Sequence, residues 1–359
     1  MKILHSYCLN YNLGDYFLGI GLKNLLRKYL DISFIGNTNI QGREFNSYYI
    51  KEVVNKRYDL LVIGGGGIIH GSHWPNGWFW LIEKELIKTI EIPFIVYGAG
   101  NNYWDKEGAI PQRALEHLDE TIERSLFFSV RNDGSAYSLK NSLKNYQHIR
   151  IVPDPGFHIN LDTDYCRKIN DPYVIVQLAN DKQDIRFLNQ ECKTNFIKNL
   201  REVVKILSKH YKILFTPHVF DDLELSIEIA KGIDNTEIWD FGYFAFDNIK
   251  EAVGYYKYAR FVLAMRGHGQ IVPIAFNTPT ISLGNHPKHL GLMKELDLMD
   301  YYLDISNNEF VPLILNMIKK IEENHVIIKS KYNLINQRLL KNTDNSFKYI
   351  VKELNKNDK

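Results

Sequence analysis

Short apolar runs that stop abruptly at glycine or charge, each followed by residues at helical spacing, constrain this chain more than any other feature. Leu60-Leu-Val-Ile63 runs into Gly64-Gly65-Gly66-Gly67, Pro93–Tyr97 into Gly98-Ala-Gly100, and Phe261–Met265 into Arg266-Gly-His-Gly269. A run of this length without polar alternation reads as a strand buried on both faces, the kind found in parallel sheets covered by helices. Further strands are expected at 2–7, 126–130, 149–152, 173–178, 212–216 and 280–283, with helices at 14–30, 113–124, 134–143, 195–210, 222–231, 249–258, 268–276, 286–296 and over most of 309–354. The helix 195–210 has the clearest apolar face, with Phe196, Leu200, Val203, Val204 and Leu207 at helical spacing.

The strand–helix series breaks once, at the polar, proline-bearing stretch 154–172, and then restarts. A chain of 359 residues suits two domains. The expected fold class is therefore α/β: two Rossmann-like domains, 1–160 and 161–359, the second with a helical tail, their parallel sheets facing across a cleft. Ligands of such sheets bind beyond the carboxyl ends of the strands.

Composition excludes several function classes. Basic and acidic residues number 44 and 42, a net charge of +2, which gives no case for nucleic-acid binding. The three cysteines, Cys8, Cys166 and Cys192, are far apart and form no CxxC or Cys/His spacing, against a zinc site or a disulfide framework. The first residues lack an apolar signal core, and no run reaches the ~18 apolar residues of a membrane span. A cytoplasmic location is expected, with peripheral attachment at the inner face of the membrane left open.

The residues that carry chemistry cluster after strands. Asn12-Leu-Gly14-Asp15 sits between a strand and a helix, where Asn12 caps the helix or the free N–H groups meet a ligand. Gly65, Gly66 and Gly67 permit close backbone approach to a ligand, although the run is neither GxGxxG nor Walker A. His70 and Trp74 follow; Trp74 suits stacking on a sugar ring, and the His70-x-x-His73 spacing lacks a carboxylate to complete a metal site. Arg131 ends a strand and suits a carboxylate or phosphate in a two-pronged way, unless it pairs with a neighbouring acid. His218, close to Asp221-Asp222, is an acid/base or phosphate-donor candidate. Arg266 and His268 stand where an apolar strand gives way to a helix N-terminus, a favourable place for an anion. Lys288, after the next strand, adds a positive charge.

Taken in order, Asn12-x-Gly14-Asp15, Gly64 to Gly67, Gly98-x-Gly100, Arg131-x-x-x-Ser135, Asp154-Pro155 and Arg266-x-His268, with Pro279 and Lys288, resemble the polysaccharide pyruvyl transferase family over about residues 1–295. Two departures stand out: Gly267 where the family commonly has leucine, and His70 where it has a less basic residue. The resemblance implies a GT-B-like fold and transfer of pyruvate from phosphoenolpyruvate to a sugar of a cell-surface polysaccharide or its lipid-linked precursor. The product is a ketal across two hydroxyls, with phosphate released.

It also implies that Arg131, Arg266 and His268 meet phosphoenolpyruvate. Around them we expect His218 and Lys288 on the donor side, His268 as general acid or phosphate ligand, and Asp15 as the group that positions or deprotonates an acceptor hydroxyl. Asn12, Gly14, Gly65, Gly66, Gly67, His70 and Trp74 are the expected acceptor or backbone-binding residues, which makes 1–160 the acceptor side and 161–359 the donor side. No cofactor or metal is called for beyond phosphoenolpyruvate as co-substrate. The partners are phosphoenolpyruvate and a glycan or lipid-linked saccharide. Two other readings fit the same architecture: a nucleotide-sugar glycosyltransferase, with Arg266 and Lys288 on a diphosphate, and a non-catalytic glycan-binding protein.

Overall fold

The computed structural model describes residues 1–9, 12–71, 74–103, 109–161, 172–239 and 245–357. His73, Cys166 and most of the stretch expected as a linker lie outside them. Among the described residues, thirteen strands form two sheets, and every pairing is parallel.

The first sheet contains β1 (Lys2–Tyr7), β2 (Phe34–Asn39), β3 (Leu60–Ile63), β4 (Gly66–Ile69), β5 (Phe94–Asn101), β6 (Phe127–Arg131) and β7 (Ile149–Val152), in the order β2-β1-β3-β5-β6-β7, with β4 also paired to β5. Half of the glycine run is strand. Gly64, Gly65 and Gly66 take φ values of 122°, 87° and 87°, which only glycine adopts readily. The kink lets β4 resume beside β5, with Gly66 opposite Ala99 and Ile69 opposite Asn101. One core of this unit gathers Ile3, Leu22, Leu60, Val62, Ile95 and Tyr97 with Phe347, Ile350 and Leu354 of the last helix.

The second sheet contains β8 (Tyr173–Gln177), β9 (Lys212–Phe215), β10 (Thr236–Ile238), β11 (Val262–Ala264), β12 (Thr280–Gly284) and β13 (Tyr302–Asp304), in the order β10-β9-β8-β11-β12-β13. Numbered from β8, this is the 3-2-1-4-5-6 order of dinucleotide-binding folds. β8, β9, β11 and β12 are buried runs such as Val174-Ile-Val176 and Val262-Leu-Ala264. β2, β10 and β13 escape a search for apolar runs because FIGNTN, TEI and YLD are edge sequences with little to bury.

By contact the chain forms two compact units: Met1–Asn10, Leu18–His158 and Arg338–Lys359 in one, Tyr11–Phe17 and Ile159–Gln337 in the other. Relative to a single division at residue 160, two segments change sides. The start of the helix Leu13–Tyr29 joins the second unit because the Leu13 N–H donates to the His218 carbonyl (2.9 Å) and Phe17 packs edge-on against His218 (5.8 Å between centroids). The end of the helix His325–Asn357 joins the first because Phe347 stacks on Tyr29 (4.6 Å) and packs on Tyr97 (5.3 Å). No helix among the described residues is long and apolar enough to cross a membrane.

Candidate functional site

In the second sheet the chain leaves β8 toward β9 on one side, and β11 toward β12 on the other. At such a reversal the connecting loops diverge, and ligands of open sheets bind beyond the carboxyl ends of the strands that flank it, here β8 and β11. Gln177, Asn180 and Asp181 follow or end β8, His218 and Asp222 follow β9, Arg266 and His268 follow β11, and Asn285 and Lys288 follow β12. Sheet order thus gathers residues that are remote in sequence.

Arg266 is the hub. Its Nε donates to Asp222 Oδ2 (2.7 Å), and its Nη2 donates to Asp222 Oδ1 (2.6 Å) and Asp181 Oδ1 (2.5 Å). Its backbone N–H donates to Gln177 Oε1 (2.8 Å). Gln177 in turn lies so close to Gly269 that a Cβ there would stand 2.7 Å from Oε1. Asp222 is fully buried and also accepts from the backbone N–H groups of His218 (3.1 Å), Val219 (3.3 Å) and Asn180 (3.1 Å). Arg186 completes the network, donating to Asp181 Oδ1 (2.8 Å) and Asn285 Oδ1 (2.9 Å).

The formal charges of Arg186, Arg266, Asp181 and Asp222 cancel, so this is a charge-balanced network in place of the simple cationic pocket that the arginine suggests. Burial works against the charge on Arg266, but Asp222 and Asp181 more than offset it and hold its pKa above the ordinary value. Burial likewise opposes the charge on Asp181, yet Arg266 and Arg186 bring its pKa down to about 2. Asp222 and Gln177 carry the arrangement although the sequence hardly advertises them. Asp222 is one half of the Asp221-Asp222 pair, and Gln177 is a polar residue closing an apolar strand.

His268 is the second residue of the helix Gly267–Ala275, whose N-cap, Arg266, makes no side-chain cap. Gly14 lies against its ring: a Cβ on Gly14 would stand 2.5 Å from Nδ1 and 3.0 Å from Cγ. Asn12 holds this turn, accepting the Gly14 N–H on Oδ1 (3.0 Å) and the Asp15 N–H on its carbonyl (3.0 Å). Asp15, almost fully buried, follows directly. Gly267 is the opposite case, with nothing within 4 Å of a Cβ, so the position has room for a larger side chain.

His218 is buried, and its Nε2 shares a hydrogen bond with the Tyr256 hydroxyl (2.7 Å), which also meets Thr216 Oγ1 (2.9 Å). Burial first, then the charges of Arg266 and His268, push its pKa well below the ordinary histidine value. His218 is therefore a neutral ring at pH 7, able to donate or accept one hydrogen bond but bringing no positive charge. Lys288 is half-buried on the helix Pro287–Glu295, its N–H capped by His286 Nδ1 (3.1 Å).

The remaining candidates belong to the first unit. Arg131 is buried with its Nε on Asp133 and its Nη1 on Asp154 Oδ2 (3.2 Å); burial opposes its charge, and the two carboxylates raise its pKa again. Packing explains the glycine run: a Cβ on Gly64 would meet the Tyr97 carbonyl (2.8 Å), one on Gly65 would strike Leu18, and one on Gly67 would touch Asn102 (3.0 Å), while Gly66 lies in the β4 pairing. His70 and Trp74 are half-buried in an aromatic cluster, His70 edge-on to Phe79 (5.8 Å) and Tyr103 (5.7 Å), Trp74 edge-on to Phe79 (5.9 Å). Among the described residues, no group of three or more His, Cys, Asp or Glu side chains could hold a metal ion.

The family model for polysaccharide pyruvyl transferase matches residues 12–287, from Asn12 beside Gly14 to the first turn after β12. No curated protein matches the chain. Solved structures similar to it include Anabaena Alr3699/HepE in complex with UDP-glucose, with 10% identity over 99% of this chain and 100% of that one and a TM-score of 0.61. A putative UDP-N-acetylglucosamine 2-epimerase from Listeria monocytogenes is 13% identical over 94% of this chain and 90% of its own, with a TM-score of 0.58. The S. aureus MnaA–UDP structure is 14% identical over 92% and 90%, with a TM-score of 0.57. At these identities the likeness is one of fold, the GT-B type with two parallel sheets. The ordered motifs and the match across most of the length agree: the chain belongs to the polysaccharide pyruvyl transferase family.

Proposed function

We propose that this chain transfers the pyruvyl group of phosphoenolpyruvate to a saccharide, closing a ketal across two hydroxyls and releasing phosphate. One observation carries the reading. Gly14 and His268, from motifs at opposite ends of the family match, meet so closely that no side chain fits between them. Family membership supports the class of reaction, and the second unit offers chemistry suited to it.

Phosphoenolpyruvate is a small dianion or trianion, and Arg266 with the first N–H groups of the helix Gly267–Ala275 suits one of its anionic groups. Because Arg266 already pairs with two carboxylates, the ligand has to compete with Asp181, the more exposed of the two. That favours a ligand of high charge over a neutral one. His268 donates a proton to the CH2 carbon of the enol as an acceptor oxygen bonds to the central carbon. Asp15, on the turn beside it, takes or directs the hydroxyl proton. The second hydroxyl then attacks the same carbon, the C–O bond to phosphate breaks with its electron pair, and phosphate leaves with the remaining proton. In this scheme Lys288 adds long-range attraction, and His218 acts as a neutral hydrogen-bonding wall. Arg131 is left out of the donor set, because its partners Asp133 and Asp154 are as buried as it is, whereas Asp181 beside Arg266 is part-exposed and can be displaced. The acceptor is a sugar of a cell-surface polysaccharide or of its lipid-linked precursor.

The test is acceptor-dependent phosphate release from phosphoenolpyruvate by the full chain, with methyl glycosides and lipid-linked saccharides as acceptors. His268→Ala is expected to keep the unfolding midpoint and lose release by ~100-fold or more; full activity in that variant would remove His268 from the mechanism. The neighbours bound to UDP and UDP-glucose suggest a second reading, a nucleotide-sugar enzyme. A thermal shift with UDP-sugars and none with phosphoenolpyruvate would favour it.

A further inference from the structure

Beside the Arg266 network, the second unit carries a groove of ≈ 700 Å³ whose lining includes Asn180, Asp181, Asp184, Phe220, Asp221 and Glu224. It opens at the same sheet edge, since Asn180 follows β8 and Phe220 follows β9. Asp181 belongs to both places: it lines the groove and accepts from Arg266.

Three features define what fits there. Asn180 is only 4% exposed; its N–H donates to Asp222 Oδ1 (3.1 Å) and its Nδ2 to Glu224 Oε2 (3.3 Å), but among the described residues its Oδ1 has no hydrogen-bond partner. A buried acceptor left without a donor is destabilising, and a ligand hydroxyl that reaches it from the groove would satisfy it. Phe220 is 66% exposed, a large aromatic face at the groove wall. The charge is negative: Asp184, Asp221 and Glu224 outnumber Lys182, while Asp181 is balanced by Arg266 and Arg186. An anion such as phosphoenolpyruvate or a nucleoside diphosphate is disfavoured in such a field. A neutral polyhydroxylated ring, with an apolar face for Phe220 and hydroxyl donors for the carboxylates and Asn180, satisfies all three.

We infer that this groove is a saccharide subsite, and that it holds the acceptor glycan next to the donor network. The inference rests on the pyruvyl-transfer reading for the word acceptor; the binding of a neutral sugar stands without it. The volume accommodates a ligand of two or three sugar rings, in the usual range for small-ligand sites.

Saturation-transfer NMR on the full chain tests it, with the methyl glycosides of galactose, glucose, mannose and N-acetylglucosamine as probes. At least one glycoside is expected to bind. Phe220→Ala and Asn180→Leu should each weaken that binding about 10-fold, and Phe220→Tyr should restore it by keeping the aromatic face. In turnover, Phe220→Ala should raise the acceptor KM about 10-fold and leave the KM for phosphoenolpyruvate unchanged. Equal binding by wild type and both variants would overturn the assignment, as would a wild-type protein that binds none of the four. Absence of phosphate release, with sugar binding still dependent on Phe220, would defeat the pyruvyl-transfer reading and uphold the subsite.

Discussion

Replacing Gly14 with alanine adds one methyl group where the structure has no space for it. The new Cβ would stand 2.5 Å from His268 Nδ1, 3.0 Å from Cγ and 3.1 Å from Cβ. Comfortable separation between such atoms is about 3.5–4.0 Å, so the ring or the start of the helix Leu13–Tyr29 must move by roughly 1 Å. Overpacking of this kind costs about 1–3 kcal/mol. A 1 Å displacement of a catalytic group costs on the order of 100-fold in rate. Gly267→Ala is the matched control, because nothing lies within 4 Å of its Cβ and its φ is not left-handed. There the loss of chain entropy in the unfolded state favours alanine by up to about 1 kcal/mol. Urea unfolding and phosphoenolpyruvate-dependent phosphate release, measured on both variants, separate the two positions. A Gly14→Ala protein with wild-type midpoint and wild-type rate would refute the idea that Gly14 is there to admit the His268 ring.

Other substitutions probe the buried charges. Asp222→Asn withdraws the carboxylate that holds Arg266 and three backbone N–H groups, and should lower stability in urea by about 3–5 kcal/mol; a loss below 1 kcal/mol would mean Arg266 finds other compensation. Arg131→Met strands Asp133 and Asp154 without their cation and should cost a similar ~3–5 kcal/mol, whereas unchanged stability with loss of phosphoenolpyruvate binding would make Arg131 a ligand residue. Acid should weaken the fold through its buried histidines. Burial first lowers His5 to about 3, and His117 and His158 to about 4, while His218 is also lowered. Below the ordinary value of 6.5 the unfolded chain takes up protons that the folded chain refuses. The stability that these neutral rings provide is complete above that pH and is lost as pH falls toward their folded values, by up to ~1.4 kcal/mol per unit for each ring. Melting temperatures at pH 7.5, 6 and 5 check the sign; a rise on acidification would contradict it.

Much of the architecture was legible because parallel strands buried on both faces are written as uninterrupted apolar runs. β3, β8 and β9 fall within a residue or two of the expected spans for that reason, and β1, β7 and β12 do so although they carry polar or exposed residues. Edge strands β2, β10 and β13 were not legible, since they bury little and carry polar residues. The helix Gln190–Leu207 begins five residues before the expected start at 195, because Asn189 caps it by accepting the Cys192 N–H (2.8 Å). In the site, the abrupt appearance of Arg266 and His268 after an apolar strand was a readable signal. The acids that neutralise Arg266 were not, because Asp181 comes from the loop after β8 and Asp222 from the first turn of the helix Asp221–Ala230, and they reach it only through the strand order. The glycines illustrate the same limit. Gly14 and Gly65 both read in sequence as positions of close backbone approach, yet one makes room for His268 and the other for Leu18.

In the proposed reaction, His268 delivers a proton to the enol carbon of phosphoenolpyruvate while a sugar oxygen takes the phosphate-bearing carbon. The most direct measurement is turnover in D2O with phosphoenolpyruvate and a glycoside acceptor, followed by mass spectrometry and NMR of the product. The expected product is an acceptor-dependent pyruvate ketal whose methyl group carries one deuterium, formed by the wild type and not by His268→Ala. A wild-type protein that forms no ketal with any acceptor and consumes a UDP-sugar instead would contradict it.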